Sequence, residues 1–493
     1  MKNLHPLYWA ERNPGKVAWW FADQATDYQA LATNMLKGAN WLRKQGIKSG
    51  ETVAIVSENR NDFLFFFWSA QICGLYFTPI SVQYKTREIT QILSDCQPKA
   101  IAFSPQQKKK IQRTSNAIYI DLSKWCDVIL SEPESLIKDP SEGAEMLYSS
   151  GTTGTPKGIR NQKPGRKLGE ISELFLKRLD LHSINSETTY LSPAPLYHSA
   201  PLRYNNMVIR SGGTSVIMPK FDARSSLKMI EKHSVTHSQW VPTMFTRLLN
   251  LPSQYRNMFD LKSHKIAIHA AAPCPIALKE QMIEWWGPII YEYYSGTEGN
   301  GQTAISPSEW QKYKGSVGKP ILGELHIMDA QDEELPAYQV GDIFFSGGPN
   351  FTYHNDPKKT AESYNSKGWS TLGDIGFINH KGYLYLTDRK AHTIISGGVN
   401  IYPREVEDVL LTHSMVLDAA VFGIPNTEFG EEVKAAVQLK SKASVNEEEL
   451  ISFCKKSLAH LKCPKTIDFH DQLPRHQTGK IYKEELKKPY WKG

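Results

Sequence analysis

Residues 215–249 read SVIMPKFDARSSLKMIEKHSVTHSQWVPTMFTRLL, and the order of apolar runs within them decides the fold class. Residues 215–218 form a short β-branched run, 225–233 carry apolar positions at helical spacing, 235–241 are a second strand-like run, and Pro242 opens a helix to Leu249. Strand, helix, strand, helix in this order predicts largely parallel sheets covered by helices. The pattern also occurs upstream, where the β-branched run 51–57 follows Gly50 and leads into an apolar helix over 63–73. Residues 63–80 carry no charge for 18 positions, but Gln71, Gly74 and Pro79 interrupt them, so a buried helix entering a strand explains them better than a membrane span.

Downstream the character changes twice. Short strands punctuated by Gly and Pro over 324–345 indicate a β-rich lobe. After Asp388 come a helix at 403–411, strands at 419–422 and 433–439, a helix at 447–457 and a strand near Ile467, a unit of domain size. The expected fold class is therefore α/β. A large N-terminal domain, 1–388, has layered, mainly parallel sheets with helices plus a β-rich lobe; a small mobile α+β C-terminal domain, 389–493, follows a hinge near 389–391.

Composition excludes several classes of function. With 493 residues, 40% hydrophobic and 22% charged, the chain has material for a large core, which rules out disorder as its main state. Its net charge of +7 is spread along the chain, unlike the patch or stripe of a nucleic-acid binder. Six cysteines without a C-x-x-C pair argue against a disulfide scaffold or a structural zinc site and fit a reducing, cytoplasmic setting. Charged residues are scattered through the first 20 positions, so no signal peptide is expected.

The chemistry is concentrated in Tyr148-Ser-Ser-Gly-Thr-Thr-Gly-Thr-Pro-Lys-Gly158. Gly151, Gly154 and Gly158 let the backbone approach an anion, Ser149, Ser150, Thr152, Thr153 and Thr155 offer hydroxyl donors, and Lys157 adds a cation. The loop is not G-x-x-x-x-G-K-[ST], which argues against a P-loop kinase or GTPase. His233 and His237 have i,i+4 spacing, but Val235 and Thr236 lead into a strand, which makes a shared metal a poor reading. Gly299-x-Gly301-x-x-Ala304 lacks the preceding strand of a dinucleotide fingerprint, and no G-x-S-x-G elbow is present.

The phosphate-type loop closely resembles the signature of the adenylate-forming (AMP-binding) superfamily, which includes acyl-CoA synthetases, luciferases and peptide-synthetase adenylation domains. Matching motifs follow in the family's order: Pro195-Leu-Tyr-His198, Ala270-Ala-Ala-Pro273, Tyr294-Ser-Gly-Thr-Glu298, Gly368-Trp-Ser-Thr-Leu-Gly-Asp374, Asp388-Arg389, Ser396-Gly-Gly-Val-Asn-Ile-Tyr-Pro403 and Thr478-Gly-Lys480.

This resemblance implies an AMP-forming acyl-CoA synthetase, an acid-thiol ligase using ATP, Mg²⁺ and CoA. Thr152 and Glu298 would hold Mg²⁺ against ATP, a hard cation suited to oxygen ligands. Tyr294 would stack on adenine, with the backbone of Ala271 and Ala272 on its other side and Ser295, Gly296 and Thr297 completing the motif. Asp374 would accept hydrogen bonds from the ribose hydroxyls, and Arg389 would contact the nucleotide at the domain junction. Lys480 would stabilise charge developing on the α-phosphate as the acid attacks. Gly397 and Gly398 would line a pantetheine tunnel after the small domain rotates.

His198 matches a position beside the acyl pocket, Phe245 resembles an aromatic gate, and Trp240 is a nearby candidate wall. The chain departs from the family at Ala391, where Asp or Lys is common, at Ser295, usually Gly, and at Leu372, commonly Thr. A fatty acid is the leading expectation for the substrate, ahead of aryl and sterol-like acids. Two alternatives are a free-standing ligase that loads a carrier protein and an inactive lipid- or nucleotide-binding relative. No nucleic-acid partner or transmembrane segment is expected. Peripheral membrane contact suits an enzyme handling fatty acids, and the oligomeric state is open, a homodimer included.

Overall fold

The helix Asn61–Ile72 has Phe63 through Ile72 buried on every side. Such a helix has to lie between two layers, because an all-apolar surface cannot face water. In the computed structural model, Phe63, Phe66 and Phe67 surround Phe77 with ring centroids 5.8, 6.2 and 5.0 Å away. The uncharged stretch is thus a core helix running into the strand Tyr76–Ile80. Among the described residues no helix is long and apolar enough to cross a membrane. The structure describes residues 4–113, 116–149, 156–397, 399–440, 444–475 and 481–491, with only the backbone at Ser149, Arg389 and Ala391.

One sheet is wholly parallel, in the order Ile118–Asp121, Ala100–Phe103, Thr52–Val56, Tyr76–Ile80, Ala144–Glu145. A nine-stranded sheet has a parallel centre containing Thr214–Ile217, Thr189–Ser192, His237–Trp240, Ile266–His269 and Ile290–Tyr294. Antiparallel strands close both its edges, Gln24–Asp27 at one and Gln302–Ile305 with Lys319–Leu322 at the other. The expected helices are present between these strands as Ala223–Lys232 and Pro242–Leu249.

The β-rich lobe is an antiparallel sheet of Glu324–Met328, Gly341–Ser346, Ser370–Ile378 and Leu384–Arg389. A three-stranded sheet pairs Leu147–Ser149, Lys157–Arg160 and Thr352–Tyr353. The C-terminal sheet contains the long hairpin Val416–Asn426 and Gly430–Leu439, with helices Pro403–Leu411 and Glu447–Ser457 contributing to its core. Both hairpin strands are longer than their apolar runs. Their polar ends are paired too, since Asn426 donates to Glu432 at 2.5 Å and its Oδ1 accepts from the backbone of Glu428 and Phe429 at 2.9 Å.

Candidate active site

The phosphate-type loop is flanked by two paired strands. Strands Leu147–Ser149 and Lys157–Arg160 pair antiparallel, with Tyr148 opposite Gly158 and Ser149 opposite Lys157. Gly158 has to be glycine, because a Cβ there would lie 2.9 Å from the Tyr148 ring. Tyr148 Oη donates to Asp95 Oδ2 at 2.5 Å, and Lys157 Nζ donates to Asp356 Oδ2 at 2.6 Å. The loop residues Ser150, Gly151, Thr152, Thr153, Gly154 and Thr155 lie outside the described residues, as does the side chain of Ser149.

Tyr353, on the third strand of this sheet, donates from Oη to Glu298 Oε1 at 2.9 Å. Glu298 is buried in the loop after strand Ile290–Tyr294, and two side chains fasten that loop. Asn161 Nδ2 donates to the carbonyls of Thr297 and Glu298 at 3.3 and 3.1 Å. Arg203 donates to the Thr297 carbonyl at 3.3 Å and to Glu145 at 2.7 Å. Ser295 Oγ closes the turn on the Gly301 carbonyl at 2.8 Å. Leu372 fills the space over Gly296, where a Cβ would sit 2.3 Å from its Cδ1.

Tyr294 Oη donates to Asp374 Oδ2 at 2.7 Å, and Phe345 stacks beside the Tyr294 ring at 6.4 Å between centroids. Asp374 is directly opposite Arg389 in the pairing of Ser370–Ile378 with Leu384–Arg389. The strand register thus brings together two positions 15 apart in sequence. Ala271 has a left-handed backbone, φ +74°, a conformation unusual for a residue with a Cβ. It follows His269, which ends a central strand next to a buried ion pair. Lys279 Nζ bonds Glu292 Oε2 at 2.7 Å, with His269 Nε2 3.2 Å from the same oxygen. Burial works against ionising Glu292, but His269 and Lys279 outweigh it and hold its carboxyl down at about 2. These charges tie helix Ile276–Trp286 to strand Ile290–Tyr294, which ends at Tyr294, and lie beside the end of strand Ile266–His269, just before Ala271 and Ala272.

His198 precedes helix Ser199–Arg210, and Asn59 Oδ1 fixes the approach by accepting from Leu196 N at 2.7 Å. Phe245 and Trp240 are both buried in one aromatic cluster with Trp286, and Trp240 Nε1 donates to Ser238 Oγ at 2.5 Å. They occupy core positions, and an acyl-pocket role for them is a proposal. His233 packs on Trp20, while His237 hydrogen-bonds Thr236 and the His182 carbonyl, so the i,i+4 pair does not converge.

In the C-terminal part, Gly397 turns the hairpin Ile394–Ser396 and Val399–Ile401 at φ +57°; Gly398 lies outside the described residues. Lys480 also lies outside them, yet both ends of its segment are held. Arg475 bridges Ile481, and Tyr482 N donates to the Pro474 carbonyl at 2.9 Å. Arg475 Nε bonds Asp418 at 2.8 Å, and Lys483 Nζ lies 2.7 Å from Glu407. Lys390 Nζ, within the expected hinge, reaches Asp342 Oδ2 at 2.6 Å.

A family model for AMP-binding enzymes matches residues 8–352. The chain belongs to the AMP-binding enzyme family. A model of that enzyme's C-terminal domain matches residues 405–480. This AMP-binding enzyme is 27% identical to 4-hydroxybutyrate–CoA ligase 2 of Metallosphaera sedula over 98% of this chain and 94% of that protein. It is 29% identical to the long-chain-fatty-acid–CoA ligase of Bacillus subtilis over 97% of this chain and 92% of the relative. Its fold is similar to O-succinylbenzoate coenzyme A synthetase from Bacillus subtilis in complex with ATP and magnesium ion, at TM-score 0.85 and 27% identity, covering 98% of each chain.

Five side chains of this AMP-binding enzyme's site had no sequence signal: Asn59, Asn161, Arg203, Tyr353 and Asp356. Each acts on a segment distant in sequence, and none belongs to a spaced pattern.

Proposed function

We propose that the chain is an AMP-forming acid-thiol ligase, which activates a carboxylic acid with ATP and passes the acyl group to CoA. The observation that supports this reading is the hydrogen bond from Tyr353 to the Glu298 carboxylate, within a chain that matches the AMP-binding enzyme family. Tyr353 stands on a strand paired with Lys157–Arg160, and Tyr294, four residues before Glu298, is bonded to Asp374.

ATP, Mg²⁺ and CoA are the cofactors and co-substrates of AMP-forming CoA ligases. The site fits such a metal, since Glu298 offers a buried carboxylate oxygen, the donor type a hard cation takes, and phosphates and water complete its shell. Glu298, with Thr152, would hold Mg²⁺, which when bound supplies charge neutralisation on the phosphates. Tyr294 stacks on the base, Asp374 accepts from the ribose diol, and Lys157 exchanges Asp356 for a phosphate. Lys480 stabilises the α-phosphate oxygens as the acid's carboxylate attacks and pyrophosphate leaves. The small domain, from about residue 389, then turns so that Gly397 and Gly398 meet the thiol arm of CoA.

The acid is the finer part of the proposal. Fatty acids are the first class to assay, and the acids named for the relatives extend from long-chain fatty acids to 4-hydroxybutyrate and succinylbenzoate.

The test is AMP and pyrophosphate release on a panel of acids with and without CoA, with the thioester read by mass and Lys480→Ala alongside. Thioester from wild type and none from the variant is the expected result. Pyrophosphate exchange without thioester would point to a carrier-protein acceptor, and ATP binding without exchange for any acid would favour the inactive relative.

A further inference from the structure

Helix Thr86–Cys96 ends on Asp95 and Cys96 and has no basic residue in its last turn. A carboxylate there faces the negative end of the helix dipole, a placement that costs stability unless other contacts offset it. Asp95 has such contacts, to the sheet that flanks the phosphate-type loop and to the turn that follows it. Its Oδ2 accepts from Tyr148 Oη at 2.5 Å, and its Oδ1 accepts from Asn355 Nδ2 at 3.1 Å. Its backbone carbonyl accepts from His354 Nε2 at 3.1 Å. Hydrogen bonds to a carboxylate are shorter and stronger than those between neutral groups.

Each partner adjoins a residue of the candidate site. Tyr148 lies in the strand that enters the loop and pairs with Gly158 in the strand that leaves it. His354 and Asn355 form the turn between Tyr353, which donates to Glu298, and Asp356, which holds Lys157. Asn355 has a left-handed backbone, φ +54°, a conformation asparagine adopts more readily than most residues with a Cβ. Asp95 Oδ1 pins its amide in that turn, and His354 N donates to the Gly158 carbonyl at 2.7 Å. One carboxylate thus touches the strand entering the loop and the turn that aims Tyr353 and Asp356.

The helix does not need this carboxylate for its packing. Ile89, Ile92, Leu93 and Cys96 already bury its inner face in one core cluster, with the Tyr148 ring packed against it. Burial of that face supplies the stability, so a charged side chain at the unfavourable end of the helix has another use. We propose that Asp95 is a positioning residue that holds both flanks of the phosphate-type loop, and with them Tyr353 and Asp356, in place for the outer phosphates of ATP. This inference rests on the ligase reading above.

The experiment measures calorimetric binding of ATP and of AMP with Mg²⁺ present, together with AMP-release kinetics. It uses the full chain as wild type, Asp95→Ala, Asp95→Asn and Tyr148→Phe. AMP lacks the two outer phosphates, so the ratio of the two affinities reads their grip alone. Wild type is expected to bind ATP more tightly than AMP. Asp95→Ala should lower the ATP-to-AMP affinity ratio about tenfold, the range of a charge-assisted hydrogen bond, and raise KM for ATP while KM for the acid stays unchanged. Asp95→Asn keeps an oxygen acceptor and should recover part of the loss. Tyr148→Phe should lower the ratio several-fold; it removes a single oxygen and keeps the test in force if Asp95→Ala fails to fold.

A role for Asp95 confined to packing would weaken ATP and AMP binding alike and leave the ratio unchanged, which overturns the proposal. A wild type that binds ATP no more tightly than AMP overturns it as well. Calorimetry needs no turnover, so an Asp95-dependent preference for ATP without AMP release on any acid would uphold the positioning role and remove the ligase reading.

Discussion

Tyr353 Oη and Glu298 Oε1 are 2.9 Å apart, a hydrogen bond across 55 residues that ties the phosphate-hairpin sheet to the carboxylate of the Tyr294–Glu298 motif. The phenol fixes one oxygen of Glu298 and so limits the rotation of the carboxyl group. A carboxylate held in this way meets a cation without first losing rotamer freedom.

Tyr353→Phe removes only that donor. The Mg²⁺ concentration giving half-maximal pyrophosphate exchange should rise about fivefold, as expected for a hydrogen bond worth about 1 kcal/mol. Mn²⁺ binding in the presence of ATP, followed by electron paramagnetic resonance, should weaken in parallel. Unchanged metal dependence would show that Tyr353 does not position Glu298.

The two ends of the Lys480 segment are clamped by Arg475 on Asp418 and Lys483 on Glu407. Arg475→Ala should therefore slow adenylation about tenfold while thioester formation from pre-made acyl-adenylate stays near wild type. The order of magnitude follows from losing a charge-assisted contact. Equal loss in both half-reactions would point to a general folding defect.

Lys279→Met would leave the Glu292 carboxylate buried without its ammonium partner. Stripping one member from a buried ion pair costs about 3–5 kcal/mol, whereas replacing both with apolar groups of similar size costs much less. Urea denaturation should show a large loss for Lys279→Met and substantial recovery in Lys279→Met/Glu292→Leu.

His5, His182 and His264 give the chain a specific acid sensitivity. Burial is the first cause in each case, lowering their pKa values from 6.5 to about 4, 3 and 3. A histidine with a lower pKa when folded takes up its proton first in the unfolded chain. Its contribution to stability is complete above the unfolded value and declines as pH falls from 6.5 towards the folded value. By pH 5 each should have cost about 2 kcal/mol relative to pH 7.5. Denaturation midpoints at the two pH values will show this, and a flat profile would count against neutral burial of these rings.

Local pattern was enough for much of the fold. Helices Pro242–Leu249, Pro403–Leu411 and Glu447–Ser457 begin and end at the expected residues, because proline at the first helical position or Asn446 as a cap fixes each start. The strand expected over 235–241 is shorter, His237–Trp240, since only those residues pair with Ile266–His269. The hairpin strands extend beyond their apolar runs because backbone pairing tolerates Asp418 and Asn426 at positions where hydropathy falls.

For the candidate site, Glu298, Tyr294 and Asp374 are named through the family resemblance, because its motifs are short contiguous stretches. Tyr353, Asp356, Asn161 and Arg203 are not, since each works on a partner many positions away that only sheet pairing delivers. Phe245 and Trp240 show the same limit, because an aromatic after a strand reads alike whether it lines a pocket or fills a core.

By itself, the sequence determined the α/β class, which depends on periodicity and turn chemistry, and it carried the short contiguous motifs on which the family resemblance rests. The tertiary structure alone decided which residues hold those motifs in place, and that Arg178 is buried against Tyr204 and Tyr293 with no ion pair among the described residues. Burial and charge balance are properties of neighbours in space, and a linear sequence does not state those neighbours.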